Sequence, residues 1–117
     1  MLFNLKTEGC ACGKQHLFNS RIIIGENVIN KLPEILEALN CKKPFILADR
    51  NTYEAAGHYV FDLLHKNGIK AEKYIFNKAI LEPDEANVGL AAMNYSPEYD
   101  AVIGVGSGVI NDISKII

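Results

Sequence analysis

Apolar positions along the chain alternate between short continuous runs and longer stretches with the spacing of a helix face. Arg21-Ile22-Ile23-Ile24 is a β-branched run closed by Gly25, the pattern of a strand. Val28, Leu32, Ile35, Leu36 and Leu39 then recur at helical spacing. Pro33 falls inside that pattern, so the helix is expected to begin near it, where a missing N–H costs nothing. Phe45-Ile46-Leu47-Ala48 predicts a second buried strand ending at Asp49. Asn51 and Glu54 have the spacing of a capping box for a helix with Tyr53, Ala56, Val60, Leu63 and Leu64 inward. Asn67-Gly68 closes that helix, and Ile69 to Phe76 reads as a third strand. Pro83-Asp84-Glu85 opens another helix with the proline in its first turn, and Tyr95-Ser96-Pro97 ends it. Ala101 to Val105 predicts a fourth strand, and Val109, Ile113 and Ile116 mark a last helix.

Strand and helix alternating four times, with nearly continuous apolar strands, predict an α/β fold: a parallel sheet covered by helices on both faces. Right-handed crossovers put every strand C-terminus on one rim, where ligands of such sheets bind. Asp49 and the stretch Gly104 to Gly108 both fall on that rim. Residues 1–20 read as a polar, turn-rich lead-in with a hairpin expected around Gly9 to Gly13. The last helix reaches Ile116-Ile117 with no glycine cap and its apolar face still running, so residues 21–117 are expected to be part of something longer.

Composition narrows the classes. The chain has 117 residues, 49% hydrophobic and 22% charged, a globular profile for one domain. A net charge of -2 gives no electrostatic footprint for nucleic acid. The start has no signal-peptide pattern, and no apolar stretch approaches the ~20 residues needed to cross a bilayer, so a cytoplasmic location without membrane insertion is the expectation. Three cysteines, an odd number, argue against a disulfide scaffold. Cys10 and Cys12 with His16 nearby invite a zinc reading, but a structural site needs a fourth ligand and the second half of a zinc signature is missing. The pattern reads as a reduced turn.

The stretch with the most chemistry is Gly104-Val105-Gly106-Ser107-Gly108-Val109-Ile110-Asn111-Asp112. Glycine lets backbone press closely on a ligand. The helix that follows aims free N–H groups and the positive end of its dipole at the same place. Together they make a cradle for phosphate. Plainer roles stand beside this one: Asp49 could merely end a strand, Asn51 and Ser107 merely cap helices, and Asp112 merely favour a helix start. Lys115 could be a solvated surface residue. His58 and His65 share no ligand spacing and read as surface, while Tyr95 and Tyr99 read as packing.

An ordinary dinucleotide fold carries its glycines after the first strand, but here they follow the fourth. An acid ending the second strand, then a glycine-serine corner with Asp112 and Lys115 inside the next helix, resembles the N-terminal domain of the dehydroquinate synthase-like and iron-containing alcohol dehydrogenase superfamily. Gly106 to Lys115, Ala48 to Gly57 and the cysteine-rich lead-in are most similar to the sn-glycerol-1-phosphate dehydrogenase branch. Val105 stands where the wider superfamily has glycine, and Val109 where the branch more often has Thr.

The resemblance implies a Rossmann-like cofactor domain of an oxidoreductase that moves a hydride between NAD or NADP and dihydroxyacetone phosphate. It implies Gly106, Ser107 and Gly108 at the cofactor pyrophosphate and Asp49 at the ribose hydroxyls, with Asn51 and Thr52 assisting. It places Asp112 near nicotinamide and substrate, with Lys115 beside it. A divalent metal (Zn, Ni or Fe) would sit in a helical C-terminal domain that these residues do not include. The whole enzyme is expected to be a homo-oligomer, and the present residues alone inactive, with no catalytic group among them. A glycerol or alcohol dehydrogenase, a dehydroquinate synthase relative, and a free-standing nucleotide-binding module are the alternatives.

Overall fold

The computed structural model describes residues 2–7 and 16–117, with side chains described from Ser20 onward. The chain divides into two compact units, Met1–Asn30 and Lys31–Ile117. In the first, β1 (Leu2–Thr7) pairs antiparallel with β2 (His16–Ile23), and the register shifts between Asn4 and Lys6. The Arg21–Ile24 run was expected to open the parallel sheet; instead Arg21, Ile22 and Ile23 pair with Asn4, Phe3 and Leu2. A β-branched run encodes extended backbone but not its partner. The Gly9 to Gly13 connection and the pair Cys10 and Cys12 lie outside the described residues, as does the side chain of His16.

The second unit holds the parallel sheet. A 3-10 turn (Val28–Lys31) leads into α1 (Leu32–Ala38), with Pro33 in its first turn as expected. Next come β3 (Pro44–Asp49), α2 (Arg50–Thr52), a π-helical turn (Tyr53–Gly57) and α3 (His58–Lys66). The rest is β4 (Glu72–Phe76), α4 (Glu85–Asn94), β5 (Ala101–Val105) and α5 (Gly108–Ile116). Strand order is β4-β3-β5, all parallel, so the sheet has three described strands rather than four.

Central β3 is buried on both faces, as its uninterrupted apolar run requires. Phe45 and Leu47 pack with Phe76, Ala91 of α4, and Ile110 and Ile113 of α5. Ile46 and Ala48 alternate to the other face and are fully buried too. Val60 and Leu64 of α3 are buried outside the Phe45–Leu47 cluster, and the π-helical turn contacts β3 and β5. The helices after β3 and after β5 therefore cover opposite faces.

Local signals mostly hold. Gly68, at φ +75°, closes α3 in a Schellman arrangement: its N–H donates to His65 O at 3.1 Å and the Ile69 N–H donates to Leu64 O at 2.9 Å. Two boundaries and one helix face differ. The third strand begins at Glu72, not Ile69, and Pro83 stands just before the cap Asp84 rather than inside the first turn. On α5 the inward residues are Ile110 and Ile113, while Ile116 is exposed.

Candidate functional site

The site forms where the strands end. In the β3–β5 register Ala48 lies opposite Val105, so Asp49 and Gly106 leave the sheet side by side. The chain departs from β3 onto one face and from β5 onto the other. That opens a crevice between the two turns, the switch point at which open α/β sheets hold ligands.

On the β3 side, the expected Asn51–Glu54 capping box is replaced by one two residues earlier. Asp49 is the cap: its Oδ1 accepts from the Thr52 N–H at 2.8 Å, and Thr52 Oγ1 accepts from the Asp49 N–H at 3.0 Å. An acid with a hydroxyl three residues on satisfies two orphan donors reciprocally, which Asn51 and Glu54 have no cause to repeat. Asp49 and Thr52 are half-buried on the crevice and Asn51 is exposed. The capping holds the Asp49 carboxylate at the rim.

On the β5 side, Gly106 has φ +152°, a conformation that side chains disfavour. A Cβ there would stand 2.8 Å from Thr52 Cγ2 and 3.0 Å from Ile110 Cγ1. The corner is thus drawn tight against the Asp49–Thr52 turn. Gly104 serves a different end, since a Cβ there would meet Ser114 Oγ at 2.6 Å; its absence lets α5 settle on β5. A Cβ on Gly108 would meet nothing within 4 Å, so no neighbour in the fold requires glycine at that position.

Helix α5 starts after Ser107, whose side chain makes no cap bond and is exposed, whereas Asp49 and Asp84 cap α2 and α4. Its first N–H groups have no capping side chain, and the space over Gly108 is open. Gly108, Asn111, Asp112 and Lys115 are exposed, and their spacing of three and four residues puts them on one face running away from the corner. A backbone cradle, a helix dipole and an acid a strand's width away suit a diphosphate joined to a ribose.

A hollow of about 560 Å³ lies elsewhere, lined in part by Glu34, Glu37, Cys41, Lys42, Ile69 and Lys70. These residues precede β3 and β4, so it opens at the N-terminal rim. The crevice is the better candidate, because only the C-terminal rim combines strand ends with helix N-termini.

The sequence put Asp49 and the Gly104 to Gly108 stretch on one rim; the structure adds Thr52 as the side chain that touches both Asp49 and Gly106. Asn51 is near but turned to solvent, and Asp112 and Lys115 lie further along α5. The contact of Thr52 with Gly106 was missed, although an Asp and a Thr three apart after a strand have the spacing of a cap. Among the described residues no three His, Cys, Asp or Glu side chains are placed to share a metal ion. His58 and His65 are exposed and meet backbone carbonyls, of Tyr53 at 3.1 Å and Ala71 at 3.0 Å.

The model of the family described as iron-containing alcohol dehydrogenase matches residues 23–117. A glycerol-1-phosphate dehydrogenase (NAD(P)+) of Halalkalibacterium halodurans is 35% identical over 112 residues, covering 92% of this chain and 28% of the relative. Proteins of the same name from Bacillus velezensis and Archaeoglobus fulgidus are 37% and 31% identical over 80% and 82% of the chain, and 25% and 26% of their own lengths. Among solved structures, the NADH-dependent butanol dehydrogenase A of Thermotoga maritima superposes with a TM-score of 0.64 at 28% identity, covering 78% of this chain and 23% of that protein. The chain spans about a quarter of the length of these curated relatives.

Proposed function

The chain belongs to the iron-containing alcohol dehydrogenase family, in its glycerol-1-phosphate dehydrogenase branch, and we propose that its crevice holds the NAD(P) of a dehydrogenase acting on dihydroxyacetone phosphate. The observation that carries this reading is the apposition of Asp49 and Gly106 across adjacent strand ends. The N–H groups of Gly106, Ser107 and Gly108 face the diphosphate, where the dipole of α5 favours negative charge. The Asp49 carboxylate accepts from the adenosine ribose hydroxyls, and Asn51 lies at the outer side of the same turn. Its charge also repels a 2′-phosphate, which favours NAD over NADP.

When bound, the cofactor supplies the hydride acceptor or donor. Asp112 and Lys115 extend from the diphosphate corner toward the nicotinamide end, where Asp112 meets the phosphorylated substrate. Hydride transfer belongs to the whole enzyme, with its metal held outside these residues; the role of this chain is to bind and orient the dinucleotide. The relatives named for glycerol 1-phosphate support this substrate over a simple alcohol.

Two measurements test the proposal. Calorimetric titration of the chain with NAD should show saturable binding that Asp49→Ala weakens; an unchanged affinity would remove the ribose assignment. The whole gene product should oxidise NADH with dihydroxyacetone phosphate and release sn-glycerol 1-phosphate. Turnover of butanal or dehydroquinate precursors instead would reassign the substrate.

A further inference from the structure

Thr52 touches both halves of the crevice through different atoms. Its Oγ1 accepts from the Asp49 N–H at 3.0 Å and its own N–H donates to Asp49 Oδ1 at 2.8 Å. Its Cγ2 faces the one glycine of the corner with a positive φ, at a distance that excludes any side chain on Gly106. A hydroxyl already engaged with the Asp49 backbone is poorly placed to serve as a direct ligand of the cofactor. A methyl group wedged against Gly106 instead fixes where the next N–H groups point.

We propose that Thr52 is a positioning residue that sets the distance between the ribose acceptor Asp49 and the diphosphate corner at Gly106, its hydroxyl serving the first and its methyl the second. The proposal rests on the dinucleotide reading above. It assigns separate tasks to two atoms of one side chain, and this makes it separable from a general role in folding. Valine keeps both branches and loses the acceptor; serine keeps the acceptor and loses the methyl. Packing at Cγ2 and hydrogen bonding at Oγ1 are distinct contributions, each felt within its own contact.

The test follows backbone amides and the Thr52 methyl by NMR while the chain is titrated with inorganic pyrophosphate, with adenosine and with ADP-ribose. Wild type should shift the Gly106–Gly108 amides with pyrophosphate and the Asp49 amide with adenosine. Thr52→Val should weaken adenosine several-fold and leave pyrophosphate unchanged. Thr52→Ser should do the reverse, and both should weaken ADP-ribose. Equal losses on both arms in both variants, or no loss in either, overturn the clamp. The wild-type protein supplies a second readout should a variant fail to fold: the Thr52 methyl must move with each arm, and a methyl that stays still while the Gly106 and Asp49 amides shift also overturns it. If wild type shows no corner shifts with pyrophosphate or ADP-ribose, the dinucleotide reading itself fails, and the clamp with it.

Discussion

Gly106 is the residue on which most of the local geometry turns. Its positive φ and its contact with Thr52 mean that Gly106→Ala must either distort the corner or push the Asp49 turn away. Such strain costs about 1–3 kcal/mol, so urea unfolding of Gly106→Ala should report a loss of that size together with weaker dinucleotide binding. Asp49 allows charge to be separated from capping. Asparagine caps about as well as aspartate, so Asp49→Asn should keep the stability of wild type while narrowing the preference for NAD over NADP. Asp49→Ala removes the cap as well and should cost about 0.5–2 kcal/mol. At the far rim, burial and the charge of Asp100 hold the Cys41 thiol above the ordinary thiol range. The neutral thiol is thus favoured in the folded chain, and that stabilisation is complete below the ordinary thiol pKa and lost as pH rises through the raised one. Alkylation of Cys41, followed by peptide mass mapping, should therefore reach half its maximal rate at a higher pH than a free thiol, and Asp100→Asn should lower that pH.

At the scale of elements, the segment from β5 through the corner into α5 was legible because glycine spacing, strand pattern and helix pattern all change within a few residues. The helix after β3 was legible in extent but not in its start, since Asp49 serves as strand end and cap at once and the Asn51–Glu54 spacing imitates a box. Pairing of Arg21–Ile24 was not legible at all: an extended apolar run carries no label for parallel or antiparallel neighbours. The π-helical turn Tyr53–Gly57 was equally hidden, and it imposes its own demand. A Cβ on Gly57 would stand 2.8 Å from Tyr53 Cδ2, and Lys73 Nζ pins that ring by donating to Tyr53 Oη at 2.6 Å. Gly57→Ala should therefore lower the melting temperature despite alanine's better helix propensity. On α5, Ile110→Ala should cost about 2–5 kcal/mol, while Ile116→Ala should fall within about 0.5 kcal/mol of wild type in the same denaturation assay.

Across the whole molecule, the parallel sheet of the second unit builds two rims with different chemistry. The C-terminal rim gathers Asp49, Thr52, Gly106 and the start of α5; the N-terminal rim has a hollow with a mixed lining of acids and lysines. Strand direction, helix dipoles and the glycine corner choose the first rim over the second. The chain spans about a quarter of the length of these curated relatives, and the strand-end crevice lies within that share. The most direct test is to map the amide resonances that move when NAD is added to the chain. Shifts should concentrate at residues 49–52 and 106–109. Shifts confined to residues 40–42 and 67–70 would place the ligand at the opposite rim and contradict the account.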